Sequence, residues 1–120
     1  MDKIKIGDGE IKLMEYIWDK GPVKASEIVA MAKKEFDWSR NTTYTMLKRL
    51  VDKNILERQE PNFVCIPLVT REQVQLEETN SLIDKVFKGS RKLFLISFLN
   101  QEKLTKEEIE EIKKIISNQK

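Results

Sequence analysis

The stretch FDWSRNTTYTMLKRLV, from Phe36 to Val51, carries the signals of an amphipathic helix. Ser39 stands at a helix N-cap position, since its hydroxyl can accept a hydrogen bond from an unpaired amide of the first turn. The helix is therefore predicted to begin at about Arg40. Residues that can face a core recur along it at three- and four-residue intervals, namely Thr43, Met46, Leu47, Leu50 and Val51.

The opposite face of this helix is polar and charged, because it carries Asn41, Tyr44, Thr45 and Lys48, with Arg49 on its flank. Side chains of these types read base edges and hold phosphates in DNA complexes. Most helices of soluble domains also have one polar face, so polarity alone does not identify a DNA reader. The local charge adds to the pattern, since the segment 38–58 has only two acidic residues against the basic residues Arg40, Lys48, Arg49, Lys53 and Arg58.

The chain length of 120 residues fits one ordinary domain, or a small domain with an appended interaction element. Hydrophobic residues make up 40% and charged residues 35%, which is typical of a globular protein and not of a disordered one. The formal net charge of +2 does not by itself indicate nucleic acid, because a phosphate-binding protein needs only a local concentration of Lys and Arg.

The lack of histidine and the single cysteine, Cys65, exclude most catalytic and metal sites. No histidine-based acid–base pair, catalytic triad or zinc cage can be assembled from this chain alone, so we expect no enzyme and no cofactor. Cys65 is predicted to be a small core residue of a strand, and a chain without an internal disulfide fits the reducing cytoplasm. We expect neither a signal peptide nor a membrane span at the N-terminus, MDKIKIGDGE.

The first part of the chain is predicted to contain a helix-turn-helix. Apolar spacing predicts a first helix over 10–18, ended by Gly21-Pro22, and a second over 25–36, preceded by a short bridging strand at Val23. Asp37 and Trp38 leave only a brief turn before the Ser39-capped helix, so the second and third helices are joined tightly.

A hairpin is predicted after the third helix. Asn54 tolerates the left-handed conformation that commonly closes helices. Residues 55–58 and 63–68 are predicted to be strands joined by the turn Glu60-Pro61-Asn62. Three helices followed by a hairpin is the order of a winged helix-turn-helix domain, whose hairpin, the wing, lies near the DNA backbone. A generic α+β domain is the alternative, because short hairpins often cap helical cores.

The rest of the chain is predicted to be entirely helical. Capping-box patterns occur at Thr70 with Gln73 and at Thr105 with Glu108. Between them, six of the seven residues in the segment 93–99 are apolar, so a helix there needs burial on every side. It is too short to span a bilayer.

The apolar faces of this tail predict a homodimer, because about fifty residues of three helices cannot bury so much apolar surface among themselves. A two-fold dimer also pairs two recognition helices on a palindromic site. The predicted dimer contacts are Leu82, Ile83, Val86, Phe87, Leu93, Phe94, Ile96, Phe98, Leu99, Ile109, Ile112 and Ile116. The alternative is a tail that docks back on its own winged helix.

The expected fold is therefore mostly α with a small β-hairpin. A winged helix-turn-helix DNA-binding domain is predicted over residues 1–70, and a three-helix dimerisation region is predicted over residues 71–120.

These residues together resemble the penicillinase repressor family, the BlaI, MecI and CopY group. The most specific part is the pattern Trp-Ser-x-x-Thr-x-x-Thr-x-Leu-x-Arg-Leu from Trp38 to Leu50. Further matching segments are Leu13-Met14, Ile17-Trp18, Pro67-Leu68-Val69 and Phe87-Lys88-Gly89. The resemblance implies a dimeric winged-helix repressor that binds a palindromic operator and blocks transcription of β-lactamase or related resistance genes.

The resemblance also implies roles for single residues of the third helix. Thr42, Thr45 and Arg49 match family residues that touch the operator. Asn41 and Tyr44 do not match the basic residues that the staphylococcal members have at these places, which leaves the operator sequence open.

In the β-lactam-responsive members of the family, a membrane sensor-protease inactivates the repressor by cutting an Asn-Phe bond in the dimerisation region. The corresponding bond here is Ser97-Phe98, where the Phe is kept and the Asn is not. The copper-responsive members have a cysteine cluster near the C-terminus that this tail lacks, so we expect no metal effector.

The sequence thus favours a sequence-specific transcriptional repressor that acts by occupying its operator. Phosphates are expected to contact Arg40, Lys48, Arg49 and Arg58, and base edges Asn41, Thr42, Tyr44 and Thr45. The alternative is a winged-helix module that binds protein in a larger assembly, which the near-neutral net charge favours.

Overall fold

The computed structural model describes residues 4–119, which form six helices and three short strands. The first elements are α1 (Asp8–Lys20), β1 (Val23–Lys24), α2 (Ala25–Phe36), α3 (Arg40–Asp52), β2 (Leu56–Gln59) and β3 (Val64–Pro67). They are followed by α4 (Arg71–Val86), α5 (Arg91–Gln101) and α6 (Lys106–Ser117). The prediction of a mostly helical chain with a small hairpin is confirmed.

The helix-turn-helix follows from two local signals. α2 ends because Asp37 takes a left-handed conformation, with φ of +56°, and its amide donates to the Lys33 carbonyl at 3.1 Å. α3 begins after Ser39, whose hydroxyl accepts a hydrogen bond from the Thr42 amide at 3.1 Å. Beyond α3, Asn54 has a φ of +62°, which is the conformation that the sequence predicts for it.

The three strands form one antiparallel sheet in the order β1-β3-β2. Both hairpin strands differ from the predicted ranges 55–58 and 63–68, and the differences have local causes. The Ile55 amide donates to the Leu50 carbonyl at 3.0 Å, so this residue belongs to the turn that closes α3 and not to the strand. Phe63 has a φ of +48° and therefore belongs to the turn between the strands.

The core of the first part lies among α1, α2, α3 and the sheet. Its fully buried side chains include Leu13, Met14, Ile17, Ile28, Leu47, Leu50, Ile55, Leu56 and Cys65. Burying one large aliphatic side chain contributes about 1.5–3 kcal/mol to folding. The stripe predicted for α3 is confirmed, since Thr43, Leu47 and Leu50 are buried and Met46 and Val51 are half-buried.

Cys65 lies in this core on β3, as predicted for a small core residue of a strand. Burial disfavours the thiolate and raises the pKa of the Cys65 thiol to about 11, while the charge of Arg58 acts in the opposite direction. The thiol is therefore neutral at physiological pH, as expected of a structural cysteine.

The chain divides into two compact units, of which the first ends at Asn80 and the second begins at Ser81, within α4. The functional division that the sequence places after residue 70 stays a prediction. No helix within residues 4–119 is long and apolar enough to cross a membrane.

In the first unit, the start of α4 is anchored to α1. The Arg71 guanidinium pairs with the carboxylates of Glu15 and Asp19, each at 2.8 Å. The Trp18 indole N–H donates to the Val69 carbonyl at 2.9 Å. These contacts hold the first turn of α4 against the winged helix.

The second unit leaves much apolar surface exposed. Ile83 is buried, whereas no side chain of α5 is buried. Phe94 lies between Phe87 and Phe98, with ring centroids 5.4 and 6.0 Å away. The large exposed apolar residues of this unit are Leu82, Val86, Leu93, Leu95, Ile96, Phe98, Ile109, Ile115 and Ile116.

Both predicted capping boxes are present. The Thr70 amide donates to Gln73 Oε1 at 2.8 Å and the Gln73 amide to the Thr70 hydroxyl at 3.0 Å. The Thr105 amide donates to Glu108 Oε1 at 2.9 Å and the Glu108 amide to the Thr105 hydroxyl at 3.1 Å. Each box satisfies donors that a helix start leaves unpaired.

The N-cap of α3 provides the first test. Ser39→Ala removes the acceptor for the Thr42 amide and is expected to lower the free energy of unfolding by about 1 kcal/mol. Urea denaturation followed by tryptophan fluorescence measures the change. Ser39→Asp keeps an acceptor at the cap and is the matched control. An Ala variant as stable as the Asp variant would contradict the assigned cap.

Candidate nucleic-acid interface

The polar face of α3 is open to solvent. Asn41, Thr42, Thr45, Lys48 and Arg49 are exposed, and Tyr44 is half-buried at the edge of this face. Since the apolar stripe of the same helix is buried in the core, the orientation of α3 about its own axis is fixed. These side chains are therefore held outward.

Close packing holds the N-terminal half of α3 against α1. A Cβ placed on Gly9 would lie 2.4 Å from Met46 Cε and 3.5 Å from Trp38 Cη2, so only glycine permits this approach without a shift of Met46. Trp38 also packs against Phe36, with ring centroids 4.9 Å apart. The turn before α3 is thus held on both sides.

An ion pair holds the region just after α3. Lys53 Nζ lies 2.7 Å from Glu10 Oε1, and the same oxygen accepts from the Gly7 amide at 2.7 Å. Glu10 is only 3% exposed and the Lys53 side chain is 33% exposed, so the pair is partly shielded from water and is screened less than a fully exposed pair. The start of α1 therefore contacts the turn before α3, the middle of α3 and the residue that follows it.

An open concavity of about 690 Å³ lies between α3, the start of α2 and the turn of the hairpin. We call this surface the basic groove. Its lining residues are Lys24, Ser26, Arg40, Asn41, Tyr44, Lys48, Arg58, Glu60, Asn62 and Phe63. Four of these ten are cationic and one is anionic, so the groove attracts anions.

Five of the eight predicted DNA-binding residues line the basic groove, namely Arg40, Asn41, Tyr44, Lys48 and Arg58. The other three, Thr42, Thr45 and Arg49, lie beside it on the exposed surface of α3. The Thr42 hydroxyl oxygen accepts a hydrogen bond from the Ser39 hydroxyl at 2.9 Å.

Aromatic rings connect α3 to the hairpin within the groove. The Arg40 guanidinium carbon lies 5.0 Å from the centroid of the Tyr44 ring, and this ring lies 5.9 Å from that of Phe63. The Arg58 guanidinium carbon lies 3.8 Å from the Phe63 centroid. Two cation–π contacts thus flank an aromatic pair, and they restrict both arginines before any ligand binds.

The sequence did not predict the other five groove residues, which are Lys24, Ser26, Glu60, Asn62 and Phe63. Lys24 reaches the groove because β1 pairs with β3, with Lys24 opposite Val64. The bridging strand predicted at Val23 was the available signal, because it places the start of α2 beside the hairpin.

The predicted cleavage bond lies inside a helix. Ser97 and Phe98 belong to α5, where Ser97 is half-buried and Phe98 is exposed. Within residues 4–119, no group of three or more His, Cys, Asp or Glu side chains is placed to hold a metal ion.

The chain is similar over nearly its whole length to known repressors. The model of the penicillinase repressor family matches residues 6–118. The methicillin resistance regulatory protein MecI of Staphylococcus aureus strain N315 is 30% identical over 115 residues, which are 94% of each chain. The penicillinase repressor of Bacillus licheniformis is 28% identical over an alignment of 123 positions, gaps included, which covers 100% of this chain and 96% of that one.

Two solved structures are similar to the first part of the chain. The solution structure of the DNA-binding domain of the repressor BlaI superposes with a TM-score of 0.56 at 32% identity, covering 61% of this chain and 93% of that one. The Bacillus licheniformis BlaI monomeric form in complex with the blaP half-operator gives a TM-score of 0.52 at 28% identity, covering 60% and 90%. The winged-helix prediction is thereby confirmed. The chain belongs to the penicillinase repressor family, whose members are transcriptional repressors and not enzymes.

Proposed function

We propose that this protein is a transcriptional repressor that binds operator DNA through α3 and the basic groove. One observation carries the proposal. Four cations converge beside the polar face of α3, whose opposite side is buried in the core, namely Lys24, Arg40, Lys48 and Arg58. The related BlaI structure with the blaP half-operator supports the same use of this fold.

The arrangement divides the contacts into two kinds. The cations beside α3 neutralise phosphates and release counterions, which gives affinity for any duplex. The exposed side chains of α3, among them Asn41 and Thr45, enter the major groove and read base edges. Asparagine pairs with adenine through two hydrogen bonds, so we propose that Asn41 selects an adenine.

We further propose that the chain acts as a homodimer through residues 71–120, with residues 1–70 as the DNA-binding part. The large apolar side chains that α5 and α6 expose favour a partner, because a monomer rarely leaves so much apolar surface in water. One recognition helix reads only a few base pairs, and a two-fold pair reads a palindrome. While it is bound to this palindrome in the cytoplasm, the dimer excludes the polymerase.

Release by proteolysis completes the proposal. Cleavage of Ser97–Phe98 by a membrane-bound sensor protease requires α5 to unwind locally, because the bond is helical. The cut severs α6 from the chain. The dimer is then weakened, and the two recognition helices lose the avidity of a linked pair.

Lys48 and Asn41 test the division of contacts. Lys48→Ala is expected to weaken binding to all duplexes alike and to lower the salt slope by about 1, because it removes one phosphate contact. Asn41→Ala is expected to lose about 1–3 kcal/mol of discrimination at one base pair. Fluorescence anisotropy with duplexes selected by the full chain from a random library measures both.

Lys34→Ala is the matched control for Lys48→Ala, because Lys34 lines a separate cavity between α1 and α2. It removes the same charge and is expected to leave the salt slope unchanged. Wild-type protein that selects no sequence and binds DNA without salt dependence would contradict the proposal and favour a protein-binding module.

Ile116 tests the dimer. This side chain is 56% exposed on α6, and Ile116→Lys is expected to convert a dimer into a monomer in sedimentation experiments at micromolar concentration, because it places a charge in the apolar contact. Ser117→Lys adds the same charge to the exposed neighbour and is expected to remain dimeric. A monomeric wild-type chain would contradict the dimer.

Phe98 tests the release step. Cells that produce Phe98→Ala are expected to keep the chain intact and the regulated gene repressed after exposure to a β-lactam. Leu95→Ala, an exposed apolar residue of the same helix, is the control and is expected to be cleaved normally. Proteolysis and induction of the Phe98 variant at wild-type levels would contradict cleavage at this bond.

A further inference from the structure

The basic groove contains one carboxylate among its ten lining residues, that of Glu60. Glu60 lies in the hairpin turn and forms an ion pair with Arg58 Nε, two residues earlier on β2. The protein itself therefore supplies an anion to this part of the groove. The Glu60 carboxylate is thus already paired with Arg58, the cation that the hairpin presents to a ligand.

The ion pair is exposed enough to exchange. The side chain of Arg58 is 42% exposed and that of Glu60 is 59% exposed. Exposed ion pairs contribute little to stability, because water screens the attraction and two side chains lose freedom to make the contact. An incoming phosphate therefore competes with the Glu60 carboxylate for the Arg58 guanidinium, and Arg58 neutralises no phosphate while the carboxylate holds it.

Arg58 does not depend on Glu60 for its position. Its guanidinium carbon lies 3.8 Å from the centroid of Phe63, and Phe63 is buried. The ring would hold the guanidinium beside the groove after the carboxylate left. The two contacts of Arg58 therefore have separate roles, since the ring fixes its place and the carboxylate neutralises its charge.

We propose that the Glu60 carboxylate competes with DNA phosphate for Arg58 and thereby limits the affinity of the basic groove for duplex DNA. This inference rests on the proposed function. Because phosphate contacts are independent of sequence, Glu60 lowers non-specific binding as much as operator binding. It thus leaves the base contacts of α3 a larger share of the total binding energy.

The test uses the 120-residue chain and a fluorescein-labelled duplex of mixed sequence, about 24 base pairs long. The salt concentration is varied from about 50 to about 200 mM, a range over which phosphate contacts change affinity steeply. Glu60→Gln is expected to steepen the slope of log K against log salt by about 0.9, because one more phosphate is neutralised. The same counterion release corresponds to about eightfold tighter binding at 0.1 M salt.

Glu57→Gln is the matched control, because Glu57 lies on β2 three residues before Glu60, its substitution makes the same change in net charge, and it does not line the basic groove. It is expected to leave the slope unchanged. In an Arg58→Gln background, Glu60→Gln is also expected to leave the slope unchanged, since the cation for which phosphate competes is gone.

The outcomes separate the inference from the proposed function. Equal slopes for wild type, Glu60→Gln and Glu57→Gln would overturn the inference and leave DNA binding intact. Weaker binding by Glu60→Gln would also overturn it, since the carboxylate would then position Arg58 or contact a base. A wild-type chain that binds no duplex would overturn both the inference and the proposed function. Thermal unfolding of each variant confirms that the folded proteins are being compared.

Discussion

Burial of one side of α3 is the constraint on which the rest of the structure depends. Leu47 and Leu50 are inaccessible to solvent, so turning the helix about its axis would expose both at a cost of about 1.5–3 kcal/mol each. Successive residues of a helix are separated by about 100°, so a shift of one position would place Arg49 where Lys48 now lines the groove. Core packing therefore determines which polar side chains face a ligand.

Much of this architecture was predictable because its signals are local. The Ser39 cap, the left-handed Asn54 and the two capping boxes each involve residues at most four positions apart, and each is present as expected. The three- and four-residue spacing of apolar residues correctly predicted which side of α3 faces the core. The predicted boundaries of the two hairpin strands were less accurate. The hydrogen bond from the Ile55 amide to the Leu50 carbonyl depends on how the chain leaves α3, and the conformation of Phe63 depends on how it leaves the turn.

The composition of the groove was only partly predictable. Arg40, Asn41, Tyr44 and Lys48 share a helix, so their spacing alone brings them together. Lys24 arrives through the pairing of β1 with β3, which joins residues about forty positions apart. In residues 71–120, the composition indicates helices that have more apolar surface than they can bury against one another. Composition does not specify which of these side chains a single chain buries without a partner. Ile83 is one that the single chain buries.

The position of Cys65 makes its thiol unreactive toward oxidants in the folded protein. With a thiol pKa of about 11, only about one molecule in ten thousand carries the thiolate at neutral pH. Peroxides attack the thiolate, and the thiol itself is sealed beneath the sheet. Oxidation of Cys65 thus has to wait for the domain to open, so thiol oxidants reach this residue in the unfolded protein and not in its folded form.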